Sequence, residues 1–178
     1  SNPGRQGQDS VARMINCYVE AIGDEGKTPL PIFACDGFNR WAGINDGPIR
    51  AIIPLGENLY AVAGDTLFLV RPSGGATALG NLGASTGHVT IVRNRKMDTP
   101  QIGIANGGVY YVIENNVIST IDLSPLVNAG ELVSIIVHDG YFVLLFDNGF
   151  FYITSSDEAT VIDPLENAAA ESKPDEIG

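Results

Sequence analysis

The chain has 178 residues, 44% of them apolar, and a net charge of −11 from 21 acidic and 10 basic side chains. That apolar content excludes a disordered chain, and the charge argues against non-specific nucleic-acid binding, which draws on Lys and Arg to neutralise phosphates; no specific nucleic-acid binding is expected either. The longest apolar run, Tyr141 to Phe146, is too short to span a membrane, and Ser1 to Ser10 hold nothing like a secretory signal, so the sequence reads as a soluble protein made in a cytoplasm.

Ser10 to Glu20 alternates, with Met14, Asn16 and Tyr18 on one face, and this predicts a strand. Gly23 to Lys27 is a charged turn, and the two prolines of Pro29 to Ala34 predict an edge strand or extended arm. Cys17 and Cys35 read as free thiols, and His88 and His138 lie too far away in sequence to complete a zinc site. Residues 1–47 are expected to form an N-terminal arm with edge strands, 48–163 a set of sheets, and 164–178 a segment leading into further chain.

From Pro48 onward a hairpin is written three times: Leu55 to Val70, Ala105 to Ile121 and His138 to Ile153. In each, a glycine turn precedes an apolar strand and a second turn follows eight residues later: Gly56 then Gly64, Gly107 then Asn115, Gly140 then Asn148. Glycine and asparagine accept the positive φ that two-residue hairpin loops require. A repeated strand-turn-strand unit predicts an all-β fold of the β-propeller type, with about three antiparallel four-stranded blades. The first blade is expected at 49–55, 59–63, 66–70 and 76–82. The second is expected to start at Gln101–Ala105 and continue through 109–113 and 117–121. The third takes 132–137, 141–146, 150–154 and 160–162. The spacing is uneven: 51 residues from Gly56 to Gly107 and 33 from Gly107 to Gly140. Thr86 to Thr99 fills the excess and should add a strand at Val89–Arg93. Tyr60, Val62, Tyr111, Ile113, Phe142, Leu144 and Phe146 are predicted to be buried between blades. Propellers usually close with about four to eight blades. The chain therefore reads as part of a larger ring, its edges covered by later blades or other subunits, with Val11–Val19 a candidate to pair with the last blade.

A catalytic reading finds little support. The innermost strands, on this assignment, offer Arg50, Gln101 and His138 but no carboxylate, whereas a propeller glycosidase needs two carboxylates roughly 5–10 Å apart. Asp65, Asp139 and Asp147 fall in turns, where Asp bonds backbone. No nucleophile elbow, phosphate loop or calcium loop is present. Arg93, Arg95 and Lys96 form the one local basic cluster, read as a solvated loop, the alternative being a phosphate or acidic-partner contact. Trp41, near Phe38 and Ile44, is expected over the outer strands of the first blade, the alternative being an anchor in a partner's pocket. The residues point to no enzyme, cofactor or metal. A carbohydrate-binding or glycoside-hydrolysing propeller is the alternative.

Two flanking segments carry a family resemblance. Arg13 to Glu20 (Arg-Met-Ile-Asn-Cys-Tyr-Val-Glu), Lys27-Thr-Pro29 and Asp36 to Ala42 resemble the opening of phage virion propellers. Phe151 to Asp157, Asp163-Pro164, Ala168 to Glu171 and Pro174-Asp175 are similar to a later segment of the same proteins. The family is the packaged-DNA stabilisation, or tail accessory, protein of short-tailed bacteriophages. Cys35-Asp36-Gly37 replaces the family's Thr-Pro-Gly turn, and Asn167 stands where an aromatic is common. The resemblance marks Asn16, Tyr18, Glu20, Gly37, Trp41, Asp163, Pro164, Glu171, Pro174 and Asp175 as structural motif positions. It implies a non-enzymatic protein of the virion tail hub that forms a homo-oligomeric ring of six copies below the portal or adaptor. There it would close the DNA channel and anchor needle or spike proteins until genome ejection. A negative surface would keep packaged DNA off the channel wall.

Overall fold

The computed structural model describes residues 17–19, 32–34, 40–44 and 46–169, and the chain divides into two units, Ser1–Arg40 and Trp41–Gly178. In the first unit, β1 (Cys17–Val19) pairs antiparallel with β2 (Ile32–Ala34), Tyr18 standing opposite Phe33. Residues 11–16 of the predicted N-terminal strand lie outside the described residues.

The second unit holds three four-stranded antiparallel sheets, each strand paired with its successor in sequence. The first consists of β3 (Ile49–Leu55), β4 (Asn58–Ala63), β5 (Thr66–Val70) and β6 (Ala76–Asn81). The second consists of β7 (Val89–Arg93), β8 (Gln101–Asn106), β9 (Val109–Glu114) and β10 (Val117–Ile121). The third consists of β11 (Leu132–His138), β12 (Tyr141–Phe146), β13 (Phe150–Thr154) and β14 (Ile162–Ala169). No helix occurs among the described residues. The hairpin turns fall where glycine and asparagine predict them: Gly64, Asn115, Asn116 and Gly149 all have positive φ. Gly64 is doubly constrained, since a Cβ there would run into the Asp46 carbonyl. These are the blades of a β-propeller.

The uneven repeat has a simple cause. In the first and third sheets the glycine turn joins strands one and two, but in the second Gly107 joins strands two and three. The middle hairpin is thus written one strand out of phase. Counted from first strands, the spacing is even: 40 residues from Ile49 to Val89 and 43 from Val89 to Leu132. Val89–Arg93 is therefore the first strand of the second blade, which does not start at Gln101. The last strand of the third blade also differs from expectation, running over Ile162–Ala169 with a register irregularity near Tyr152/Thr154.

The first strands β3, β7 and β11 lie side by side on the inner edge of the three sheets, with Thr90 Oγ1 3.1 Å from Ser134 Oγ across the second pair. Between the sheets lie two apolar layers. Tyr60, Val62, Leu67 and Leu69 of the first sheet meet Ile102, Ile104, Tyr111 and Ile113 of the second. Ala105, Tyr110 and Val112 of the second meet Ile135, Phe142, Leu144, Phe146 and Tyr152 of the third. Strand side chains alternate faces, so β8 and β9 feed both layers, and β8 is buried at every position. Gly103 makes the second approach possible: a Cβ there would stand 3.0 Å from the Phe142 ring and 3.1 Å from Ile135 Cδ1. All seven side chains predicted to be buried between blades are buried.

Candidate functional site

Among the described residues, three of the four buried polar side chains, Asn94, Gln101 and Asn106, gather at the two junctions between sheets. At the first, Arg50 on β3 turns its guanidinium into a ring of main-chain carbonyls. Nη1 donates to Gly64 O at 2.8 Å and Ala84 O at 2.6 Å, and Nη2 to Thr86 O at 2.6 Å and Gly87 O at 3.1 Å. Nη2 also donates to Asn106 Oδ1 of β8 at 2.7 Å. The Asn106 amide in turn donates to Leu82 O and Ala84 O, each at 2.9 Å, and the Tyr111 hydroxyl to Leu82 O at 2.8 Å. The rigid fork of arginine suits this role, since its donors can satisfy several orphan loop carbonyls at once.

The second junction uses amides. Gln101 lies on β8, the second strand of its blade, and not on an innermost strand as the sequence suggested. Its backbone N–H donates to Asn94 Oδ1 at 2.9 Å, its Nε2 to Glu158 Oε1 at 2.7 Å, and its Oε1 accepts Ala159 N–H at 2.7 Å. The Tyr110 hydroxyl donates to Ala159 O at 3.1 Å. Burial pushes the Tyr110 phenol well up, with the Glu158 charge adding to the effect, so it stays a neutral donor. Hydrogen bonds from Gln101 and Thr160, with Lys96 at 3.5 Å, hold the Glu158 carboxyl below its ordinary value. Asn94, Asn106 and Glu158 escape sequence reading because each adjoins a strand end or turn, where such residues are ordinary.

A cleft of about 590 Å³ opens at the ends of β7 and β11, lined by Arg93, Arg95, His138, Asp139 and Asp157. His138 Nε2 lies 3.4 Å from the Asp139 carboxylate, both well exposed. Asp157 donates its N–H to Gly140 O at 2.8 Å. Among the described residues, no Trp, Tyr or Phe lines the cleft to stack on a sugar. Of the other turn aspartates, Asp65 accepts Thr66 Oγ1–H at 2.9 Å, a side-chain bond, and Asp147 accepts Glu131 N–H at 2.9 Å from a loop earlier in the chain and not from its own turn. No cluster of His, Cys, Asp and Glu suited to a metal occurs among the described residues.

The motif positions are scattered. Trp41 is 52% exposed and donates its indole N–H to Pro72 O at 3.0 Å, against the β5–β6 turn of the first blade. Asp163 and Pro164 lie on β14, where Asp163 Oδ1 accepts Leu165 N–H at 2.9 Å and Pro164 O accepts the Asn167 amide at 3.0 Å. Tyr18 lies on β1. Asn16, Glu20, Gly37, Glu171, Pro174 and Asp175 lie outside the described residues.

The sequence profile of a family described as bacteriophage P22 Gp10, β-propeller, matches residues 41–178. The chain belongs to this family. Membership places it among the bacteriophage stabilisation proteins of the β-propeller type. Among curated proteins none matches. The solved structures similar to it include YCF48 bound to D1 peptide, at 15% identity and TM-score 0.48 over 69% of this chain and 40% of that one. The Neurospora crassa Pan2 WD40 domain gives 15% identity and TM-score 0.45 over 70% and 37%. PorZ, a surface component of the type-IX secretion system of Porphyromonas gingivalis, gives 10% and 0.33 over 78% and 24%. The chain spans less than half the length of each of these structures.

Proposed function

We propose that this protein is a structural virion component of the tail hub that binds below the portal or adaptor, closes the DNA channel and anchors needle or spike proteins. The observation that carries this reading is the family match over residues 41–178. The site chemistry is consistent with it. Arg50, Asn106, Tyr110 and Tyr111 donate to neighbouring main-chain carbonyls, and Gln101 accepts Ala159 N–H while donating to Glu158, a use of polar groups that suits a scaffold. Asn16, Tyr18, Glu20, Gly37, Trp41, Asp163, Pro164, Glu171, Pro174 and Asp175 act in this reading as framework positions. Six copies arranged as a ring would present the same contacts repeatedly to a symmetric partner. Further blades would cover the outer face of the third sheet, where Val133, Ile136, Tyr141 and Leu145 are exposed.

The test is reconstitution. DNA-filled capsids lacking tail accessory proteins are mixed with the protein, sedimented, and assayed for nuclease-accessible DNA. Co-sedimentation with the particles and retention of DNA are expected. Free protein at the top of the gradient, with unchanged DNA leakage, would overturn the reading.

A further inference from the structure

We propose that the Arg93–Arg95 cleft binds a short acidic peptide segment of a protein partner. The inference deepens the scaffold reading by naming the chemistry of one contact, and rests on that reading only in taking the partner to be a protein. Its starting point is the use of the chain's few cations. Among the described residues, Arg50 is spent on carbonyls, Arg71 donates to Thr77 Oγ1 and Lys96 pairs with Glu158. Arg93 and Arg95 are exposed, and neither guanidinium has a hydrogen-bonded or ion-paired partner among the described residues. Both line the same cleft.

They are also held in place. Asn94, between them, is fully buried; its Oδ1 accepts Gln101 N–H at 2.9 Å and its amide donates to Asp157 O at 3.4 Å. Asn94 is anchored inward at the end of β7, while Arg93 before it and Arg95 after it are both exposed on the cleft side. Arg93 is fixed further by its ladder position opposite Ile102. Two guanidinium groups presented from a fixed base bind carboxylates with little ordering cost, and their planar forks match carboxylate geometry.

The surroundings choose among anions. A net charge of −11 repels a long polyanion such as DNA, while two arginines suffice for one or two carboxylates. Asp139 and Asp157 on the cleft wall add acceptors for peptide N–H groups and disfavour a dense charge such as a phosphate cluster. An extended peptide with one or two acidic side chains fits this mixed lining.

The experiment uses the whole chain and a fluorescein-labelled peptide of alternating Glu and Gly, with anisotropy as the readout. Binding is expected, weakening as salt rises, and the double variant Arg93→Gln/Arg95→Gln should lower affinity about tenfold or more. Arg71→Gln, which removes an equal charge elsewhere, should change affinity by less than about twofold. Asp139→Asn should tighten binding by removing a like charge. Near-UV circular dichroism confirms that each variant is folded. No binding by the parent chain, or equal weakening by Arg71→Gln, would overturn the proposal. Displacement of the peptide by inorganic phosphate or a neutral oligosaccharide at equal concentration would overturn the peptide assignment. Because the assay needs no particle, its failure is separable from failure of the reconstitution.

Discussion

The two junctions of this propeller solve one problem with different chemistry. Each must tie a loop of one blade to β8 and β9 of the middle blade, and each has a tyrosine of β9 donating to a loop carbonyl: Tyr111 to Leu82 O, Tyr110 to Ala159 O. The first junction then relies on the Arg50 guanidinium amid carbonyl oxygens, and the second on neutral amides beside one carboxylate, Glu158. The difference teaches where the fold should respond to its surroundings. Arginine stays charged at any ordinary pH, so the first junction should ignore acid, whereas the second contains a titrating group.

The largest expected effect comes from emptying the second apolar layer. Phe142 is fully buried against Gly103, and Phe142→Ala should cost roughly 3–5 kcal/mol in chemical denaturation. A loss under about 1 kcal/mol would mean that the second and third blades do not pack as described. Next, Arg50→Met should cost roughly 2–3 kcal/mol at the first junction by stranding its carbonyls, with a penalty that stays constant from neutral to mildly acid pH. A penalty that changes with pH would break the contrast between the junctions.

Tyrosine hydroxyls sharpen the comparison further. Tyr110→Phe should destabilise by about 1 kcal/mol, since it orphans the bond to Ala159 O. Tyr152, in the same layer, is buried edge-on to Phe146 with rings 5.6 Å apart, and its hydroxyl has no hydrogen-bond partner among the described residues. Tyr152→Phe should therefore be neutral or stabilising by up to about 1 kcal/mol, and thermal unfolding of the two variants should move in opposite directions. The smallest effect is that of Glu158. Its carboxyl is held below the ordinary value of 4.5, so its stabilisation is present above that pH and lost as pH falls through the lowered value. Glu158→Gln should lose less than about 1 kcal/mol at neutral pH and converge with the parent chain in acid. Parallel stability curves for the two proteins would remove Glu158 from the account.

Much of the fold was legible because hairpin turns and alternation are local signals. Gly64, Asn115-Asn116 and Asn148-Gly149 mark their turns with positive φ at Gly64, Asn115, Asn116 and Gly149, and the seven expected interblade side chains are buried. The phase of the repeat was not legible. A glycine turn looks the same whether it joins strands one and two or two and three, and only pairing distinguishes Gly107 from Gly56. The same limit misplaced Gln101 on an axial strand. The basic residues Arg93 and Arg95 were visible, but their shared cleft depends on the burial of Asn94 and on a loop more than sixty residues away, at Asp157. Such contacts leave no mark on local sequence.

β8 is moored at both ends in opposite directions. Asn106, at its last residue, reaches to Leu82 and Ala84 on the side of the first blade, and Gln101, at its first, to Glu158 and Ala159 on the side of the third. A slip of this strand along either neighbour would therefore unhitch both moorings in one movement and drive Ile102 or Ile104 toward the space that Gly103 leaves for Phe142. The strand behaves as a key cut on two edges, which turns in its lock at one depth only.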